Sequence, residues 1–229
     1  MSGPELPVRT DTPSGRLVAT LALAGALAGL LIVSVHVWTN PRILEHRAIA
    51  LRAAVQEVLG DPARTETLYM IDGALTPALP EGTDSLSVER IFVGFDEADR
   101  QMGIAIGGAE PGFQDIINLL FGYDPYGKRL LGMKVLDNKE TPGLGDKIVK
   151  DSTFVGAFVG LSVPITGVKI GSGRGTPGEV DLITGATISS RAVIAIINHQ
   201  LEAMSPMLDG YFGRSAPAQE STSVGGGGS

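Results

Sequence analysis

"VERIFVGFDEADRQMGIAIGG", residues 88–108, decides the fold class. Two runs rich in Val, Ile and Phe flank "DEADRQ", a polar stretch too short to be anything but a turn. The segment therefore reads as a β-hairpin. A second follows at once: "GFQDIINLLFGYD" (112–124) and "GKRLLGMKVLDN" (127–138) are joined through Asp124-Pro125-Tyr126-Gly127. "VPITGVKIG" (163–171) adds a further short strand. Successive hairpins imply a largely antiparallel sheet.

Helical spacing lies outside these hairpins. Residues 41–59, "PRILEHRAIALRAAVQEVL", open on a proline, and Ile43, Ile49, Val55 and Val58 can share one buried stripe before Gly60-Asp61-Pro62 ends the helix. A second helix is expected around 146–160. A third is expected over 187–205, with Val193, Ile194, Ile197, Leu201 and Met204 on its apolar face. Strands and helices that are segregated in this way predict an α+β domain rather than a doubly wound parallel sheet. Residues 73–87 read as a loop rich in Gly, Pro, Thr and Ser.

Residues 17–38 contain no Asp, Glu, Lys or Arg. As a helix they would extend roughly 33 Å, enough to cross a hydrocarbon core of about 30 Å. A signal peptide's apolar core is usually ~7–15 residues, so the run reads as an uncleaved anchor. Gly25 and Gly29 form a GxxxG pattern on which a neighbouring helix could pack. The flanking arginines leave the orientation open, with Arg9 and Arg16 before the span and Arg42, Arg47 and Arg52 after it. The expected order is an N-terminal tail (1–16), the transmembrane helix (17–38), a stalk helix and connection (39–72), the domain (73–209) and a flexible C-terminal tail (210–229). The closing "GGGGS" reads as a linker.

Composition narrows the chemistry. A net charge of −7 argues against a nucleic-acid binder. The chain has no cysteine, which removes disulfides, thiolate metal sites and iron–sulfur clusters. Its three scattered histidines offer no metal site. Redox chemistry here would need an organic cofactor. The Gly-rich "GSGRG" (171–175) lacks the lysine and the strand–loop–helix setting of a nucleotide loop, and reads as a flexible turn.

Two stretches remain. "DLITGATISS" (181–190) places Gly185, Ala186 and four hydroxyls at the mouth of the last helix. One reading is ordinary capping by a threonine. The other is a ligand site, because bare N–H groups and the helix dipole hold a phosphate well. "KETPGLGDK" (139–147) sets a tight turn at Pro142-Gly143, on which a flat ring could lie against Leu144.

Together, Asp181-x-x-Thr184-Gly185-Ala186-Thr187 and Glu140-Thr141-Pro142-Gly143-Leu144-Gly145 resemble the flavinylation motif and flavin-contacting loop of one family. That family comprises the G subunits of Rnf ion-translocating electron-transport complexes. It is similar to the C subunits of sodium-translocating NADH:quinone reductases, which stand as the alternative. A membrane-anchored flavin-binding regulatory or assembly module is a further alternative.

The resemblance implies FMN joined through its phosphate to Thr187, with Thr184, Gly185, Ala186, Glu140, Thr141, Gly143, Leu144 and Gly145 around it. Asp181 matches the motif's leading acid, a recognition or positioning residue. Lys147 is expected to offset negative charge on the reduced ring. The resemblance also implies an electron-relaying component of a ferredoxin:NAD oxidoreductase, without independent catalysis and with no catalytic or metal-ligating residue of its own. Its partners would be the other complex subunits and an FAD-dependent, magnesium-requiring flavin transferase. The N-terminal tail would be cytoplasmic, and the flavin domain would lie on the periplasmic side of a bacterial inner membrane. Where the family often has a histidine before the loop, this chain has Asp137-Asn138-Lys139, with Asn138 and Lys139 expected to face solvent.

Overall fold

The computed structural model describes residues 14–83 and 88–212. Most of the expected N-terminal tail, part of the 73–87 loop and the C-terminal stretch from 213 lie outside them. The described residues divide into two units at Ile49/Ala50.

Helix α1 (Ser14–Leu59) makes up the described residues of the first unit and runs on into the second. It is long and apolar enough to cross a membrane, and the window that qualifies is unburied. The sequence pattern ends one helix before Pro41 and begins another there, but α1 runs on with Pro41 inside it. A proline within a helix forfeits one hydrogen bond and crowds the preceding turn, which here does not end the helix. The expected buried stripe is also corrected. Val55 and Val58 are buried together with Ala54 and Leu59, while Ile43 and Ile49 are exposed. Within the second unit only the last turns of α1 meet the sheet.

That sheet has six strands in the order β2-β1-β3-β4-β5-β6 and is antiparallel throughout. The two hairpins expected from the sequence are its centre and one edge: β3 (Arg90–Phe95) with β4 (Gln101–Pro111), and β5 (Ile116–Asp124) with β6 (Arg129–Asp137). Asp96 closes the first turn by accepting from the N–H groups of Ala98 and Arg100, both at 2.9 Å. Asp124 closes the second by accepting from Tyr126 and Gly127. Strands β1 (Arg64–Ile71) and β2 (Ala74–Thr76) fall in stretches whose sequence reads as connection and loop. In β1 only Leu68 is buried, so it carries little of the alternation by which strands are recognised.

The sheet is covered on both faces. Leu120 of β5 and Ala105 of β4 pack against Ala54, Val55, Val58 and Leu59 of α1. Gly122 allows this close approach, since a Cβ there would run into the Val58 carbonyl. The alternate residues Ile104, Ile106, Leu119 and Phe121 face the main core. The last helix fills that core from the other side with Val193, Ile197 and Met204, as its periodicity predicts.

Between sheet and last helix, the single helix expected at 146–160 is two short ones, α2 (Lys147–Lys150) and α3 (Ser152–Gly156). Asp151 separates them. Its backbone is extended, and its carboxylate accepts from Thr153 N at 3.0 Å and Phe154 N at 3.2 Å, capping α3 anew. The expected 163–171 strand contracts to β7 (Thr166–Lys169), which pairs in parallel with β8 (Glu179–Leu182). Helix α4 (Thr187–Phe212) runs past the expected end at 205, and its Leu208 and Phe212 are buried. The architecture is α+β, as expected.

Candidate functional site

Strand β8 delivers the chain to the start of α4 through a tight turn. Ala186 N–H donates to the Ile183 carbonyl at 3.0 Å, and Gly185 takes φ +84°, the left-handed conformation that a type II turn needs at its third residue. Ser190, fully buried, locks the turn. Its hydroxyl donates to the Ala186 carbonyl at 2.9 Å and accepts from Ile183 N–H at 3.2 Å.

This geometry decides against ordinary capping. The residue at the cap position is Ala186, whose side chain has no oxygen to offer. Thr187 is the first helical residue, and it is exposed. Among the described residues no acceptor meets the N–H of Thr187, Ile188 or Ser189, and the Thr187 hydroxyl has no protein partner. A 26-residue helix thus presents its positive end and three unmet donors beside a free hydroxyl.

The loop 139–147 faces it. Leu144 N–H donates to the Thr141 carbonyl at 3.1 Å, and Gly143 sits at φ +80°, so Pro142-Gly143 makes the tight turn predicted from the sequence. Lys150 lies 2.6 Å from Asp146 and, with the Gly143 N–H, holds that carboxyl below its usual range. Loop and helix start enclose a cleft of about 250 Å³, lined by Phe113, Glu140, Leu144, Gly145 and residues 185–189. Phe113, Leu144 and Ile188 are each more than half exposed, which makes an apolar rim.

The walls are tied together by one carboxylate. Glu140 is 6% exposed. Its Oε1 accepts from Phe113 N–H at 2.9 Å and Gln114 N–H at 3.2 Å, and its Oε2 accepts from the Ser189 hydroxyl at 2.8 Å. Asn138, half-buried rather than solvent-facing, accepts from Glu140 N–H, while the exposed Lys139 pairs with Asp115 at 2.8 Å. Gly145 must stay bare, because a Cβ there would collide with the Glu140 carboxylate and approach Ser189 Oγ to 3.0 Å.

Of the residues singled out in the sequence, Glu140, Leu144, Gly145, Gly185, Ala186 and Thr187 come together in this cleft. Thr141, Gly143, Thr184 and Lys147 are not on its wall. Thr141 instead donates to Gln114 Oε1 at 2.8 Å. Asp181 lies on β8 and lines a different cleft, of about 620 Å³, with Thr153 and Val168. Phe113 and Ser189 escape sequence reasoning. Phe113 reads as part of a strand that in fact begins at Ile116, and Ser189 is one hydroxyl among four.

A phosphate-bearing flat ring fits these residues: unmet N–H donors for the phosphate, apolar side chains for the ring, and glycines that keep the approach clear. Residues 112–202 match the family model of the FMN-binding domain. The G subunit of the ion-translocating oxidoreductase complex of Salmonella typhi is 30% identical over 206 residues, covering 87% of this chain and 91% of that protein. The chain belongs to this G-subunit family. Its member in Pectobacterium atrosepticum is 28% identical, covering 86% of this chain and 95% of that protein. That of Methanosarcina acetivorans is 27% identical, with coverages of 83% and 94%. Among solved structures, NqrC of Shewanella oneidensis has TM-score 0.61 at 16% identity, covering 73% of this chain and 99% of that one. The C subunit of the Na⁺-translocating NADH-quinone reductase of Parabacteroides distasonis has TM-score 0.52 at 20% identity, covering 64% and 78%. These two show a shared fold.

Proposed function

We propose that this chain relays electrons through FMN joined by its phosphate to Thr187 Oγ1, within an ion-translocating oxidoreductase complex of the Rnf type. The observation that carries the reading is the start of α4: an exposed threonine hydroxyl beside three unmet N–H groups, capped by an alanine. Nothing in local helix stability favours that arrangement, since a Ser, Thr, Asp or Asn at the cap would be worth about 0.5–2 kcal/mol. A phosphate ester uses the same donors and is favoured by the dipole.

The residues divide the work. Ile188 and Ser189 N–H would hold the phosphate. Leu144, Phe113 and Ile188 would orient the ring and keep water from its face. Glu140 holds the three walls in place. Bound FMN supplies the electron-carrying chemistry, and the chain supplies tether, orientation and field. The cleft's exposed rim leaves one side open to a partner cofactor. Lys147, absent from the cleft wall, would act on the ring only from a distance.

On the same reading, α1 crosses the inner membrane and the flavin domain lies on the periplasmic side. There a covalent tether keeps the cofactor from being lost by dissociation. A flavin transferase using FAD as donor would load Thr187, with Asp181 as its recognition residue. The partners are the other subunits of the complex.

The test is direct. Intact mass of the chain matured beside its transferase should exceed the sequence mass by roughly 440 Da, one FMN less water. Thr187→Ala should remove both that increment and the in-gel fluorescence of the denatured protein. A denatured mutant that still fluoresced would exclude Thr187 as the attachment point. Recovery of the full chain with multi-span subunits would separate the electron relay from an anchored flavin-sensing module.

A further inference from the structure

Glu140 is the one charged side chain on the cleft wall among the described residues. Burying an anion is costly unless hydrogen bonds replace its water. Here three do, from Phe113, Gln114 and Ser189, and all three neighbours donate, which suits a carboxylate that only accepts. The surrounding backbone is kept bare for it: a Cβ on Gly112 or on Gly145 would collide with its oxygens. No ion pair to it forms among the described residues. Lys139 is paired with Asp115, Lys150 is paired with Asp146, and Lys147 does not line the cleft. Holding three wall segments together does not require a charge, because a neutral amide could bond the same neighbours. Its carboxylate oxygens thus stand beside an apolar cleft, where water and salt screen a charge weakly.

We propose that Glu140 tunes the cofactor electrostatically, its carboxylate lowering the reduction potential of the flavin held at Thr187. The inference rests on the flavin reading of this cleft. An electron that the ring accepts without a proton adds negative charge to the cleft, and an anion in the wall opposes that addition. The cleft is compact, so a ring seated in it lies within the roughly 8–10 Å over which salt screens a charge. Glu140 thus acts at a distance on the ring while positioning the loop and the helix start.

The experiment uses the full chain in mild detergent, matured beside its transferase, with flavin content measured by intact mass. Wild type, Glu140→Gln and Ser189→Ala are reduced with dithionite in a spectroelectrochemical titration. Glutamine preserves the shape, accepting from the two N–H groups and donating to Ser189. At the wild-type midpoint, the ratio of reduced to oxidised flavin in Glu140→Gln should rise about tenfold or more, the effect of one unit charge at this range with an effective dielectric near 20. Ser189→Ala keeps the charge and removes a donor that compensates it, so its ratio should fall below that of wild type. A purely structural brace would not move the two variants in opposite directions.

Equal potentials in flavin-loaded wild type and Glu140→Gln would overturn the inference. If Glu140→Gln did not accumulate, an unchanged potential in Ser189→Ala would overturn it. Wild type without flavin would overturn the reading of the site and this inference with it, whereas loaded proteins of equal potential would overturn the inference alone.

Discussion

Replacing Gly145 by alanine puts a single methyl group into the most crowded point of the site. The added Cβ would run into Glu140 Oε2, lie 2.8 Å from Glu140 Cβ and lie 3.0 Å from Ser189 Oγ. Gly145 does not have a positive φ, so the backbone itself accepts alanine and the cost is purely steric. Either the loop lifts off α4 or the carboxylate turns away. The first is overpacking, at about 1–3 kcal/mol. The second leaves the N–H groups of Phe113 and Gln114 without an acceptor, about 1–3 kcal/mol more. The first route alone, or both together, costs between about 1 and 6 kcal/mol, a fall in Tm of roughly 2–24 °C for a domain of this size.

The control is Gly143→Ala. Gly143 sits at φ +80° with nothing within 4 Å of its would-be Cβ, so only backbone strain of about 1–2 kcal/mol is expected. Unfolding should be followed by circular dichroism, because the one tryptophan, Trp38, lies in the apolar helix and does not report on the domain. Apo and flavin-loaded samples must be compared separately, since a ligand bound only to the native state raises Tm by itself. A Gly145→Ala protein as stable as wild type, or less affected than Gly143→Ala, would refute the account of the brace.

Ile197→Ala should cost about 2–5 kcal/mol, because Ile197 is fully buried in the core, whereas Ile188→Ala on the exposed cleft rim should change apo stability by under about 1 kcal/mol. Chemical denaturation of the two variants checks the contrast, and similar midpoints would contradict the packing described. The Thr176 hydroxyl, followed by the N–H groups of Arg174 and Gly175, holds the Glu179 carboxyl below its ordinary value of 4.5. A depressed folded pKa stabilises above the unfolded value and is lost as pH falls through the folded one. Proteolysis within 170–178 should therefore accelerate as pH drops below 4.5, and Glu179→Gln should abolish that pH dependence.

The elements legible in the sequence are those whose signal is local. The hairpin of β3 and β4 is written in two apolar runs and an Asp96 turn, and α4 in the spacing of Val193, Ile197 and Met204. Strand β1 is hidden because three of its eight residues are exposed and only Leu68 is buried. Strand β7 is legible within 163–171, but β8 and its parallel pairing are hidden, because a four-residue strand joined across a Gly-rich loop leaves no periodicity to count. Asp151 looks like a surface residue in a continuous helix, and only its bonds to Thr153 and Phe154 mark it as a cap. At the site, both motifs are legible as motifs. The parts of Phe113 and Ser189 are not, because each reaches the loop only through Glu140, across 27 and 49 residues of sequence.

Helix α4 shows why the site stands out from its surroundings. Elsewhere side-chain oxygens serve local backbone donors: Asp96 and Asp124 close their turns, and Asp151 caps α3. At Ala186 the longest helix of the domain forgoes a capping oxygen, although Ser189 and Ser190 stand within its first turn. Both serines are committed elsewhere, Ser190 to the Ile183 turn and Ser189 to Glu140. Their hydroxyls shape the cleft instead of satisfying its donors. The packing of Val193, Ile194 and Ile197 supplies the helix with stability that the missing cap does not, which lets its N-terminus stay open. An open helix start beside a cleft, with the core carrying the cost of the missing cap, is the pattern expected of a binding site rather than of an imperfect fold.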